Sequence, residues 1–124
     1  MHLIKGTVYR DNGRGRDLGY PTANIVYSGN EKDGVYIAIV KIEGEKEQYS
    51  SLAFIGAAET FGESKRKLEV YIFDFNRDIY DKEIAVQLLR HTRGNIKFDS
   101  MESLVIQMKE DERQGREYFA TLKL

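Results

Sequence analysis

The stretch 34–44, GVYIAIVKIEG, is apolar at odd and even positions alike. A strand turns successive side chains to opposite faces, so such a run needs cover on both faces or a place in a tightly curved sheet. Neighbouring segments supply the rest of a sheet. Leu3–Arg10 alternates and is rich in β-branched residues, and EGE at 43–45 reads as a hairpin turn into a strand over 46–56. Further strands are expected over 66–75 and 82–92. From Asp99 the period changes, with Met101, Leu104, Val105, Met108 and Phe119 at helical spacing. Asp99 and Glu102 suit a capping box at the start of that helix. Gly115 would weaken it by about 1 kcal/mol relative to Ala. Many short strands followed by one helix predict an antiparallel barrel or sandwich with a helix packed on it. Periodicity does not choose between the two.

Composition narrows the functional classes. The 124 residues suffice for one packed core and no more. A net charge of -1 with both signs mixed argues against a nucleic-acid module. Without cysteine the chain has neither disulfides nor thiolate metal sites. No apolar run is long enough for a membrane span or a signal peptide. A soluble, cytoplasmic monomer is expected. His2 and His91 lack metal-ligand spacing and read as structural or surface residues.

The segment GRGRDLGYPTAN, residues 13–24, holds three glycines, two arginines and the single proline of the chain. Gly13, Gly15 and Gly19 can turn several N–H groups inward as an anion nest. Arg14 and Arg16 can add charge and donors for phosphate. A surface turn with solvated arginines is the plainer alternative. Thr22 and Asn24 are two apart and face the same way on an extended segment. Their hydroxyl and amide oxygens are hard, neutral donors that suit Mg²⁺ with nucleotide phosphates; equally, both could satisfy nearby backbone groups in a turn. Glu69, within LEVYIFDF, is a carboxylate on an apolar strand, and burying it without partners is costly. It is therefore exposed or paired, or else kept for chemistry.

These segments together resemble the riboflavin kinase family, the kinase module of bacterial bifunctional FAD synthetases and of eukaryotic flavokinases. The resemblance runs through GTVYRDNGRGRDLGYPTANI, DGVYIAIV, LAFIGAAETF, LEVYIFDFNRDIYDKEIAVQLL and the helical IKFDSMESLVIQMKEDERQGRE, in order and at close spacings. It implies a mainly β fold, a six-stranded antiparallel Greek-key barrel with a C-terminal helix packed on it. It implies transfer of the γ-phosphoryl of ATP to the ribityl 5′-hydroxyl of riboflavin, giving FMN. By position, the loop with Gly13, Arg14, Gly15, Arg16 and Gly19 would cover the ATP phosphates, and Thr22 and Asn24 would hold the divalent metal, Mg²⁺ with Zn²⁺ or Mn²⁺ as alternatives. Glu69 would be the catalytic base beside the flavin, Tyr80 would lie by the nucleotide, and Arg93 and Phe98 would hold the flavin. Desolvation would raise the carboxyl pKa of such a base toward its task.

Residues 1–124 read as a single such domain with no adenylyltransferase half, so FMN rather than FAD is the expected product. Departures from the family pattern are Asp11, Glu59, Tyr71, Asp81 and Ile96, which leave the metal pair and the base intact. Asp111 matches an acidic position of the family helix and is assigned no chemistry, and Tyr36 reads as packing. The alternatives are a catalytically weak barrel that binds flavin or nucleotide, and a barrel for single-stranded nucleic acid. The intact Thr22, Asn24 and Glu69 set favours the enzyme.

Overall fold

The computed structural model describes residues 3–10, 19–57 and 66–122. Six strands and one helix follow in chain order: β1 (Leu3–Thr7), β2 (Ala23–Val26), β3 (Gly34–Ile42), β4 (Gln48–Gly56), β5 (Lys67–Ile72), β6 (Glu83–Arg93) and α1 (Met101–Leu122). All pairings are antiparallel, in the order β1-β6-β3-β4-β5-β2. β3, β4 and β5 form a meander, and β6 returns to lie beside β3, which is a Greek key.

The choice between barrel and sandwich is made where the two edges meet. Just past β1, Tyr9 forms an antiparallel bridge with Asn24 of β2, its N–H donating to the Asn24 carbonyl at 3.0 Å. The sheet is thus nearly closed, as a mainly β barrel with one C-terminal helix. Curvature is concentrated at the β3–β6 pairing, where the register slips between Val35 and Tyr36 and again between Ile37 and Ala38. Such irregularities bend a strand and increase its twist.

That curvature explains the doubly apolar β3. Tyr36, Ala38, Val40 and Ile42 point into the barrel, joining Ile25, Ile55, Leu68, Val70, Ile84 and Val86. Val35 and Ile37 point outward and are buried beneath α1, with Leu52, Phe73, Tyr118 and Phe119. Burying a side chain of this size is worth about 1.5–3 kcal/mol. The outer cluster therefore fastens α1 to the barrel.

Several local expectations shift. β5 stops at Ile72 rather than running to 75, because Asp74 takes a left-handed φ of 56° and turns the chain out of the sheet. PTAN contributes a true strand, β2, and not only an extended segment. The helix cap is Ser100 rather than Asp99. The Ser100 Oγ accepts the Ser103 N–H at 3.1 Å, and the Leu104 N–H donates to the Ser100 carbonyl at 3.2 Å. Met101, expected on the apolar stripe, is 44% exposed.

Gly115 has a purpose that helix propensity does not show. It is buried, and a Cβ there would lie 2.8 Å from Phe73 Cζ and 3.0 Å from Leu52 Cδ2. The missing side chain lets α1 approach the barrel. Gly115→Val should destabilise the fold by about 1–3 kcal/mol through overpacking, despite the usual helical penalty on glycine. Urea unfolding followed by far-UV circular dichroism measures this, and a stabilised variant would mean that α1 packs more loosely than described.

Candidate active site

The site is assembled by pairing β2 with β5. In that register Asn24 lies opposite Glu69, and Ala23 opposite Val70. Directly opposed residues project to the same face of the sheet, so Asn24 and Glu69 are neighbours across the ladder. Thr22, just before β2, joins them: its Oγ1 donates to Glu69 Oε1 at 3.1 Å. The three residues singled out in the sequence are thus brought together from two separate segments. Glu69 is half-buried and paired, not solvated at a strand end.

Asn24 is 1% exposed. Its Nδ2 donates to the Thr22 carbonyl over a long 3.4 Å. Its Oδ1 is buried and has no hydrogen-bond partner among the described residues. An unsatisfied buried acceptor costs about 1–3 kcal/mol, and native proteins seldom tolerate one without a use. A hard, neutral oxygen awaiting a partner is a suitable cation ligand. The donor pair Thr22 Oγ1 and Asn24 Oδ1 therefore fits a divalent metal with phosphate and water as its other ligands.

Beside this cluster opens a cavity of about 520 Å³. Val8, Val70, Ile72 and Ile79 give it apolar walls, and Arg10, Thr22 and Tyr80 are among its polar lining. Thr22 is the junction, since it both lines the cavity and bonds to Glu69. Tyr80 lines this cavity. Its N–H donates to Asp78 Oδ1 at 2.9 Å, and the Arg10 guanidinium stacks 4.1 Å from its ring centre. The turn is stapled to the barrel: the Asp81 N–H donates to the Val8 carbonyl at 2.8 Å, and the Val8 N–H to Lys82 at 2.9 Å. Arg77, also on the wall, is held by both Glu45 oxygens at 2.9 and 3.0 Å.

Gly19, exposed and at φ 90°, enters the PTAN segment through a backbone conformation that favours glycine. Tyr20 follows, 8% exposed, with its ring 5.2 Å from that of Tyr71. Burial, and next the neighbouring Glu112 carboxylate, push its hydroxyl up to about 12. Gly13, Arg14, Gly15 and Arg16 lie outside the described residues, as do Asp11, Glu59 and His2.

Arg93 stands at the opposite end of β6 from the Tyr80 turn, roughly 30 Å along the strand. It is not simply presented to a ligand. Its Nε and Nη2 donate to the two Asp111 oxygens at 2.9 and 2.7 Å, and Nη1 donates to the Gly94 carbonyl at 2.9 Å. Gln107 adds a third bond to Asp111 at 3.0 Å. Phe98 is half-buried in the segment between β6 and α1. His91 is structural as expected, its ring 4.8 Å from that of Tyr36 and its Nε2 3.2 Å from the Asp33 carbonyl.

A family model described as Flavokinase, riboflavin kinase, matches residues 1–119. The chain belongs to the riboflavin kinase family. A bifunctional riboflavin kinase/FMN adenylyltransferase of Listeria monocytogenes is 37% identical over 98% of this chain and 40% of its own length. A Streptococcus pneumoniae crystal structure, described as a macrolide-efflux protein, is 41% identical with a TM-score of 0.78, covering 92% of this chain and 38% of that one. A riboflavin kinase structure from Trypanosoma brucei, 23% identical, shares the fold with a TM-score of 0.65 over 98% of this chain and 82% of that one. The chain spans 18–48% of the length of the curated relatives it matches. No helix among the described residues is long and apolar enough to cross a membrane.

Within this family member, the Arg93–Asp111 pair is asymmetric, with side-chain exposures of 19% and 2%. Removing the arginine strands a buried carboxylate, whereas removing the aspartate leaves a cation that water can still reach. Arg93→Ala should therefore cost about 3–5 kcal/mol and Asp111→Ala about 2–3 kcal/mol. Chemical denaturation of both single variants and the double variant tests this. The double variant should cost less than the sum, and an additive result would mean that the pair is not coupled.

Proposed function

We propose that this chain is an ATP-dependent riboflavin kinase, carrying the γ-phosphoryl of ATP to the ribityl 5′-hydroxyl of riboflavin and releasing FMN and ADP. On this reading residues 1–124 are one kinase domain, acting as a cytoplasmic monomer. One observation carries the proposal. The Thr22 hydroxyl, at the rim of the cavity, donates to Glu69 at 3.1 Å, next to the unpartnered, buried Asn24 Oδ1. A threonine that gives its proton to a carboxylate keeps its lone pairs for a cation. The closeness of these three side chains supports reading Glu69 as a base and Thr22 and Asn24 as neutral metal donors.

The nucleotide would lie in the cavity, its base beside Tyr80 and its phosphates toward Thr22 and the glycine-rich loop. Thr22 Oγ1 and Asn24 Oδ1 would hold Mg²⁺, which when bound supplies neutralisation of phosphate charge. Glu69 accepts the proton of the attacking hydroxyl as the new P–O bond forms and the bond to the ADP oxygen breaks. Arg93 and Phe98 would bound the flavin, with Arg93 held ready by Asp111. Base catalysis of this type contributes roughly 10²–10⁴-fold, and positioning with charge stabilisation contributes the larger remainder.

Glu69→Gln should lower kcat by about 10²–10⁴-fold while Mg–ADP affinity changes little. Thr22→Ala should lower activity and shift its Mg²⁺ dependence to higher concentration. FMN formation from riboflavin, ATP and Mg²⁺, read by chromatography, tests both. Unchanged turnover in Glu69→Gln would remove that residue from the mechanism, and binding without turnover in the parent chain would leave a flavin- or nucleotide-binding barrel instead.

Asn24→Leu separates the cation role from folding. It removes the unsatisfied acceptor, so the ligand-free protein should hold its stability or gain up to about 1–3 kcal/mol. The rise in Tm that Mg–ADP gives the parent chain should vanish. Thermal unfolding with and without Mg–ADP decides this, and a variant that keeps the Mg–ADP shift would show that Asn24 is no ligand.

A further inference from the structure

Arg10 and Arg77 both line the cavity, and their charges are met differently. Arg77 Nη2 donates to both Glu45 oxygens at 2.9 and 3.0 Å and to the Tyr49 hydroxyl at 3.1 Å. Arg10 has no carboxylate within ion-pair distance among the described residues. Its contact is the ring of Tyr80, whose centre lies 4.1 Å from the guanidinium carbon. Asp78, a carboxylate in the same wall, is engaged within its own turn, where Oδ1 accepts the Tyr80 N–H at 2.9 Å.

The backbone brings this cation close to the donor pair. Val8 and Arg10 are two apart on an extended segment, and both line the cavity. Tyr9, between them, bridges Asn24. The two segments run antiparallel, so the step from Tyr9 to Arg10 leads toward Ala23 and Thr22, which line the same cavity. Tyr80 precedes a turn that is pinned to Val8 through the Asp81 and Val8 N–H groups. Arginine and tyrosine are therefore fixed relative to one another by main-chain bonds. A ring face attracts the cation but offers no lone pair, so the five N–H donors of the guanidinium keep their capacity for an anion.

We propose that Arg10 binds the phosphate chain of the nucleotide, and that Tyr80 is a positioning residue whose ring holds the guanidinium at the cavity wall on the approach to Thr22 and Asn24. This rests on the kinase reading above and adds to it a charged nucleotide contact outside the glycine-rich loop. The planar guanidinium matches phosphate oxygens two at a time. Holding it on the ring beforehand reduces the rotamer freedom lost when the nucleotide binds. Arg77, already bound by Glu45, has less to offer an incoming anion.

Titration calorimetry with ADP in excess Mg²⁺, at about 0.05 M and about 0.5 M NaCl, tests the inference. Arg10 is exposed, so its variants should keep the fold. Arg10→Ala should weaken Mg–ADP binding about tenfold at low salt, the worth of one hydrogen bond to a charged group. The loss should shrink at high salt, which screens the charge. Arg10→Lys keeps the charge without the planar fork and should fall between parent and Arg10→Ala. Tyr80→Leu should lose at least as much as Arg10→Ala, and Tyr80→Phe should retain most of the affinity by keeping the ring. The double variant Arg10→Ala/Tyr80→Leu should lose less than the product of the two single losses. Mg–ADP affinity within about twofold of the parent in Arg10→Ala, or an equal loss at both salt concentrations, would overturn the phosphate contact. Losses that multiply in the double variant would overturn the positioning role of Tyr80. A parent chain that binds no Mg–ADP would overturn the kinase reading and this inference together, so the two failures are distinguishable.

Discussion

The structure depends on one strand of four residues. β2 is paired to β5 along its length and is bridged at Asn24 to Tyr9, so the Asn24 backbone is held from both sides. That contact closes the sheet. It also decides which side chain faces Glu69. A one-residue slip of β2 would turn Asn24 to the other face, because strand side chains alternate with period two. Closure and site geometry are therefore the same constraint, and Ile25, fully buried beside Asn24, enforces the register by its place in the barrel core.

The helix supplies the second constraint. Its contact face is not continuously apolar. Following the stripe from Leu104 and Met108, the next inward positions are Asp111 and Gly115, then Phe119. Phe119 packs, Gly115 permits close approach, and Asp111 is the charged member that pairs with Arg93. A buried ion pair contributes little net stability compared with apolar packing, but breaking it is costly. It acts as a registration device: α1 docks well only when the end of β6 is in place.

How much of this could be read from the sequence follows from the range of the interactions. Period and turn chemistry are local, so most of the strands, the helix and β3 as a doubly covered strand were legible from the residues, whereas closure into a six-stranded barrel and the meeting of Thr22 and Asn24 with Glu69 were expected only through the family resemblance. The helix cap was misassigned by one residue because Asp99 and Ser100 are adjacent and both can cap. The role of Gly115 was hidden because its reason lies in Phe73 and Leu52, far away in sequence. Asp111 as the partner of Arg93 was missed, although a signal existed: a carboxylate at an inward position of an amphipathic stripe calls for a cation across the interface. Tyr20 carried no such signal, because the neighbouring Glu112 carboxylate that helps raise its hydroxyl pKa lies within a run of charges that reads as solvated.

The departures from the family pattern test whether the frame tolerates change. Asp81, one of these departures, adopts φ 69°. Aspartate is among the few residues that visit this region, and the turn remains pinned through the Asp81 N–H to Val8. Tyr71 packs between Tyr20 and Phe73. Ile96 is exposed. At Asp81 and Tyr71, then, the substitute has been absorbed by backbone hydrogen bonding or by ring packing, and neither contact draws on Thr22, Asn24 or the carboxylate of Glu69. The meeting of Thr22, Asn24 and Glu69 rests on strand register, which these substitutions do not alter. They bear instead on how firmly the turn beside Tyr80 and the wall beside Tyr20 are held, and not on whether Thr22, Asn24 and Glu69 meet.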